Sequence, residues 1–285
     1  MDNLTTRATL VSLKTSKWTG RCIDKDISQD VLIREGATEE AGRFSKRLLP
    51  KDALKEITTV VNSARKYYKD KTLAWEEGKY RLLPTKFATE FRTQMAEFKA
   101  SLDIAVKDFI NDYKDFKSEA KQMLNGMYKE GDYPSENDLY EKFQLKYTMQ
   151  GISDPKDFRC DIPENIKKEI QKEMQEELES QYAASLKKLY QRIYNVIKPF
   201  HDTIEKANKE DVRLFKSLIG NIEDLVSLLP DLNIMGEKKL EELTELIQNE
   251  LCRFDIDDLK KNKESREEAI KASTDVLAAL EQVYI

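Results

Sequence analysis

Histidine occurs once in this sequence, at His201, and cysteine three times, at Cys22, Cys160 and Cys252. A lone histidine rules out the usual four-helix di-metal site, which takes a Glu-x-x-His pair from each of two helices. Three widely separated cysteines argue against a disulfide framework and for reduced thiols in a cytoplasmic setting. Glycine and proline number only 9 and 7 in 285 residues, which argues against a turn-dense sandwich or a Rossmann domain. No apolar run approaches the roughly 20 residues of a membrane span. The start, MDNLTTRATL, lacks the basic and apolar regions of a secretory leader. P-loop, GxGxxG, HExxH, paired CxxC and GxSxG patterns are missing as well. These absences lead to the expectation of a cytoplasmic non-enzyme with no metal and no cofactor.

What the sequence has in quantity is charge, at 35% of residues, set against 40% apolar side chains in helical register. Phe87, Phe91, Met95, Phe98, Leu102, Val106, Phe109, Tyr113, Phe116 and Ala120 follow one another at steps of three and four. The spacing predicts one long helix from Thr85 to Gly126. A second stripe, from Ile166 through Ile170, Met174, Leu178 and Tyr182 to Phe200, predicts another from Pro163, kinked or broken at Pro199. The mean steps, about 3.67 and 3.78, exceed the 3.5 of a left-handed coiled coil, so the two helices should pack as an antiparallel pair without a heptad seam. The stretch KKEIQKEMQEELES is so polar that it must project into solvent or meet a partner.

Thr5 to Trp18 alternates like a strand, and Lys79 to Leu83 could pair with it as a small ribbon. Short helices are expected from Asp24 to Arg34, from Pro50 to Lys69 and from Ser135 to Tyr147, with a short strand at Phe158 to Cys160. Beyond Asp211, helices are expected to Pro230, from Gly236 to Cys252 and from Ser265 to Tyr284. The expected fold is mostly α. It has a small α+β head (residues 1–84), a long antiparallel helical arm (85–210) with an irregular insertion at 126–162, and a C-terminal helical bundle (211–285) packing on the arm.

Charge is unevenly placed. Residues 1–71 carry 15 Lys and Arg against 10 Asp and Glu, a balance of +5, while the whole chain is −5, leaving −10 for the rest. Lys17, Trp18, Arg21, Arg43, Lys46, Arg47 and Arg81, with Lys14, Lys66, Tyr67 and Tyr80 beside them in sequence, mix cations with rings, the combination that binds single-stranded nucleic acid. The same pattern fits core aromatics with ordinary solvated lysines and arginines. Asp24, Asp26, Ser28, Asp30 and Glu35 fall on an EF-hand ruler, but the sixth position, where glycine makes the turn, is Gln29, so an Asp-capped helix start is the better reading. Asp255, Asp257 and Asp258 read as a turn that caps a helix.

The segments SKWTGRCIDKDIS, ARKYYKDKTLAWEEGKYRLLPT and LNGMYKEGDYPSENDLYEKF, in this order around the first long helix, resemble an uncharacterised family of tailed-phage and plasmid proteins. Its short motifs here are Trp18-Thr19-Gly20-Arg21 and Leu82-Leu83-Pro84-Thr85. Some relatives with the Trp-(Ser/Thr)-Gly-Arg segment are encoded beside MoxR-type ATPases and von Willebrand A-type proteins. The resemblance implies a phage or mobile-element origin and a role in the host cytoplasm. It brings no catalytic residues. Together these readings predict a non-enzymatic interaction or scaffold protein, acting by helical self-assembly as a homo-oligomer or by docking to a protein partner such as an ATPase. The alternative is a nucleic-acid-binding accessory factor in phage replication or recombination.

Overall fold

The computed structural model describes residues 4–76, 79–157, 159–210 and 212–284. The chain is mostly helical, with a four-stranded antiparallel sheet near its N-terminal region and one helix of 46 residues. A helical turn, α1 (Leu4–Arg7), leads into β1 (Ala8–Ser16), β2 (Arg21–Ile23), α2 (Lys25–Arg34), β3 (Ser45–Arg47) and α3 (Lys55–Asp70). Next come β4 (Leu73–Ala74), β5 (Arg81–Pro84), α4 (Ala88–Asn111), α5 (Tyr113–Leu124), α6 (Glu136–Lys142) and β6 (Gln144–Gln150). The remainder is helical: α7 (Glu164–Lys209), α8 (Ser217–Leu232), α9 (Lys238–Glu250), α10 (Ile256–Lys261) and α11 (Lys263–Tyr284). The larger sheet has the order β4-β5-β1-β6, and β2 and β3 form a separate ribbon.

By contact the chain divides into two compact units, one made of residues 1–12, 69–89 and 148–285, the other of 13–68 and 90–147. In the first unit, α7 packs chiefly on α11 and also on α8 and β4, and α9 packs on both α8 and α11. Ile193, Ile197, Phe200 and Ile204 of α7 meet Ile222 and Leu229 of α8, Leu240 and Ile247 of α9, and Val276 of α11 in one core. Each such side chain, fully buried, is worth about 1.5–3 kcal/mol. Ala269, Ala272 and Ser273 keep the buried α11 face thin. The expected pairing of the N-terminal strand with the one near Lys79 occurs here, as β1 against β5, with Ala8 opposite Pro84 and Val11 opposite Arg81.

In the second unit, Phe91, Met95, Leu102, Val106 and Phe109 of α4 are buried, as are Ile57, Val61 and Ala64 of α3. Phe91 lies edge-on to Tyr147, with ring centroids 5.8 Å apart, and stacks on Tyr67 at 6.0 Å. The aromatic stripe seen in the sequence is therefore a packing face.

Five sequence expectations need correction. The first long helix is interrupted at Asp112, between α4 and α5, beside the cluster in which Tyr113 and Phe109 hold Trp18. The helix expected to reach Tyr147 ends at Lys142, and Gln144–Gln150 is a strand. Alternate burial suits a pleated edge, and Ser12 and Thr148 share a 2.7 Å hydroxyl hydrogen bond. Pro199 does not end α7, because Ile197 and Phe200 on either side are buried and outweigh the about 3 kcal/mol cost of an internal proline. Pro230 likewise lies inside α8, between buried Leu229 and Leu232. Of the strand expected at Phe158 to Cys160, Phe158 lies outside the described residues and the other two positions are irregular.

Candidate interaction surfaces

The β2–β3 ribbon organises the cationic part of the second unit. Gly20 makes the turn into β2 with φ +62°, and a Cβ there would meet Leu49 Cδ1 at 2.8 Å. Only glycine satisfies both demands at this position. The ribbon is extended by Leu48 N–H donating to Gly20 O at 2.7 Å and by Asp24 N–H donating to Phe44 O at 3.0 Å. Its register puts Arg21 opposite Arg47 and Cys22 opposite Lys46.

These two pairs have opposite fates. Lys46 is 3% exposed. Its ammonium lies 2.7 Å from Asp24 Oδ2 and 2.7 Å from Asp132 Oδ2, and donates to Met127 O at 2.8 Å. All three ammonium protons are therefore committed. Burial alone would lower the lysine pKa, but the hydrogen bonds to Asp132 and Asp24 raise it above its usual value. The Lys46 hydrogen bond, then the Ile27 N–H, holds Asp24 below the usual carboxylate range. Asp24 also caps α2, and Lys129 pairs with Asp26 at 2.6 Å. The EF-hand-like acids are thus a helix cap and a structural ion network. Lys46, one of the candidate partner-surface residues, is a buried staple because Asp132, far away in sequence, faces it.

Arg21 and Arg47, in contrast, are exposed on the ribbon. Together with Lys17, Trp18, Lys51 and Thr58 they line a groove of about 220 Å³ with no carboxylate among its described lining residues. Lys17 Nζ donates to Thr58 Oγ1 at 3.3 Å. Trp18 is half-buried, its ring edge-on to Phe109 at 6.5 Å and to Tyr113 at 6.2 Å, so its position is set by packing. Like charges directly opposite on a two-stranded ribbon are destabilising, by about 0.2–1 kcal/mol. A pair of arginines held there is suited to an anion, whose forked oxygens the guanidinium matches.

The remaining candidates lie elsewhere. Arg43 is exposed beside a separate hollow formed with Ser28, Val31 and Phe44. Arg81 belongs to the other unit and is tied down there, donating to Thr72 Oγ1 at 2.6 Å and to Thr72 O at 2.8 Å. Lys51 is a member of the groove that sequence reading missed. Its signal was faint, a single lysine after Pro50, and only the turn that returns the chain past Gly20 brings it in.

His201 is no isolated base. Its Nδ1 is 2.9 Å from Ser273 Oγ, a hydroxyl on a fully buried residue that also donates to Ala269 O at 2.7 Å. His201, Asp202 and Glu205 approach one another closely enough for a metal ion, yet Asp202 pairs with Lys198 at 2.7 Å and Glu205 with Lys209 at 2.8 Å. Asp255 caps α10, accepting from the N–H groups of Asp257 and Asp258. A larger cleft in the first unit, about 750 Å³, contains Arg213, Lys216, Lys260 and Arg266. Two of these cations are engaged, Lys260 by Asp257 at 2.8 Å and Arg266 by Leu259 O at 3.0 Å.

The other unusual surface is the start of α7. From Glu164 to Gln181 no residue is buried, and the first buried one is Tyr182. Ile166 is 42% exposed, and Ile170, Met174 and Leu178 are half-buried. Among the described residues no helix is long and apolar enough to cross a membrane. Compared with protein-family models, with curated proteins and with solved structures, the chain matches none.

Proposed function

We propose that this chain is a non-enzymatic interaction protein of the phage type, working through helix-mediated assembly, with the polar first half of α7 as its arm. The observation that carries the reading is the contrast along α7. Its second half supplies the core with Leu189, Ile193, Ile197, Phe200 and Ile204, while none of the eighteen residues at its start is fully buried, although they keep an apolar stripe whose last member, Leu178, packs on that core. In proteins most helical stability comes from packing of an apolar face, so a surface that covers this stripe would stabilise it. The partner is a second copy or a protein such as an ATPase, the class implied by the resemblance of the Trp18-Thr19-Gly20-Arg21 segment. Light scattering together with affinity purification from cells producing the protein tests this. A mass above that of one chain, or a stoichiometric partner, supports it; a strictly monomeric mass with no recovered partner rejects it.

A second reading is favoured by the groove. Lys17, Arg21, Arg47 and Lys51 around Trp18 suit the backbone and a stacked base of single-stranded nucleic acid. Salt-dependent retardation of an oligonucleotide supports this reading, and unchanged migration at low salt rejects it.

A further inference from the structure

We infer that Arg21 and Arg47 form a clamp for a terminal phosphate monoester, so that the groove holds the phosphorylated end of a single nucleic-acid strand. The inference rests on the nucleic-acid reading above and deepens it, from a strand to the end of one. The ribbon's register carries the argument. Leu48 N–H donates to Gly20 O and Asp24 N–H donates to Phe44 O. Those bonds make Cys22–Lys46 a hydrogen-bonded pair and Arg21–Arg47 a non-hydrogen-bonded one. Opposite residues come closest at such a position, with Cα atoms about 4.5 Å apart and both side chains on one face. Two exposed guanidinium groups are thus anchored side by side, both lining the groove. Among the described residues neither makes an ion pair.

Two adjacent positive charges match a dianion. A phosphodiester carries a single negative charge and leaves one of the two arginines unmatched. A monoester carries about −1.5 to −2 at neutral pH and presents three terminal oxygens, enough for a two-point contact with each guanidinium. The rest of the groove suits a strand that ends there. Its volume, about 220 Å³, is below the roughly 300–1,000 Å³ of pockets for drug-sized ligands, so it seats about one nucleotide. Trp18 is the one ring among the described lining residues, whereas a groove for the middle of a strand stacks successive bases on several. Three further cations of the unit do not extend the track. Lys46 is buried, Arg43 lies at a separate hollow, and Arg65 donates to Thr15 Oγ1 at 2.8 Å. Lys17 and Lys51, which reach the groove from other segments of the chain, are left for the diesters that follow the end.

The chemistry of strand ends tests this on the full chain. One oligonucleotide sequence is made with a 5′-phosphate, with a 3′-phosphate and with hydroxyls at both ends, each carrying an internal fluorophore. By fluorescence anisotropy, one of the two phosphorylated strands is expected to bind about tenfold tighter than the hydroxyl strand, and which one it is gives the polarity. Arg21→Gln or Arg47→Gln should erase that preference, whereas Lys51→Gln should weaken all three strands alike. Circular dichroism should show unchanged helix content in each variant. A nucleoside monophosphate should compete only weakly, since it lacks the diesters that Lys17 and Lys51 contact. Equal binding of the three strands overturns the inference and leaves the nucleic-acid reading standing. A preference that survives both arginine substitutions overturns it too. So does a nucleoside monophosphate, or a phosphoserine peptide, that binds as tightly as the phosphorylated strand. Failure of every strand to bind at low salt removes the inference and the nucleic-acid reading together.

Discussion

Arg21 and Arg47 stand directly opposite one another on the β2–β3 ribbon, on the rim of a groove with no carboxylate among its described lining residues. A cross-strand pair of that kind costs stability in the free protein and is repaid when an anion binds between the guanidinium groups. Arg21→Gln should therefore raise the melting temperature slightly while weakening oligonucleotide binding. If Lys17, Arg21, Arg47 and Lys51 all contact phosphates, the slope of log K against log salt for single strands is about −3. The substitution should reduce its magnitude by about 0.7. Titration of a fluorescent oligonucleotide at several salt concentrations, alongside calorimetric melting, checks both halves. A lower melting temperature with unaltered binding removes the argument.

Lys46 should be among the least replaceable residues of its unit. Lys46→Met leaves Asp24 and Asp132 facing each other across a site that has lost its buried ammonium, and should cost about 3 kcal/mol or more. Urea denaturation of the variant is the measurement, and a loss under about 1 kcal/mol would show that the carboxylates find water instead.

The same network sets a pH window. Asp24 is held below its ordinary 3.8, so its contribution is complete above that value and is lost as pH falls through the lower folded value. Lys46 is held above its ordinary 10.5, so its contribution is complete below that value and is lost as pH rises through the higher folded value. The stabilisation from this pair should therefore be flat from about pH 5 to pH 9 and decline on both sides. The difference in stability between the native chain and Lys46→Met, followed by urea denaturation across pH, isolates it. A difference that changes steeply near neutrality would contradict the geometry.

Gly20→Ala should destabilise by about 1–3 kcal/mol, since it adds left-handed strain and overpacks against Leu49. The same change at Gly42, where an added Cβ meets nothing within 4 Å and the backbone is ordinary, should have little effect. Comparing the two by thermal melting separates the local contact from the general cost of replacing glycine.

The three thiols should react at different rates. Burial, and then the charge of Asp132, raises the pKa of Cys22; burial, and then Glu223, raises that of Cys252. Cys160 is exposed. Near pH 8, iodoacetamide should modify Cys160 first, with the other two slower by about tenfold, because the thiolate is the reactive form. Peptide mapping over time reads this directly, and equal labelling of Cys22 would mean that the ribbon opens.

Periodicity carried far in this chain, because a repeating apolar face is a local property. Phe91, Met95, Leu102, Val106 and Phe109 on α4 and Leu189, Ile193 and Phe200 on α7 are buried as their spacing implies, while Phe98 and Val196 in the same stripes are half-buried. Asp24 and Asp255 cap the helices whose starts they mark, since capping depends on the next three residues alone. Where local preference met a tertiary demand, local preference lost. Pro199 stays helical because its neighbours are buried, and Gln144–Gln150 becomes a strand because it fills the edge that β1 offers.

The sequence by itself determined that this chain is mostly helical, that its helices carry long apolar faces, and which residues bear unbalanced charge. Only the tertiary structure decided which cations are free. Lys46 and Arg47 are adjacent and chemically alike, yet alternation along β3 sends one side chain inward to Asp24 and Asp132 and leaves the other in solvent with Arg21. A lysine's partners lie wherever the fold returns the chain, and for Lys46 that return comes at Met127 and Asp132, some eighty residues later.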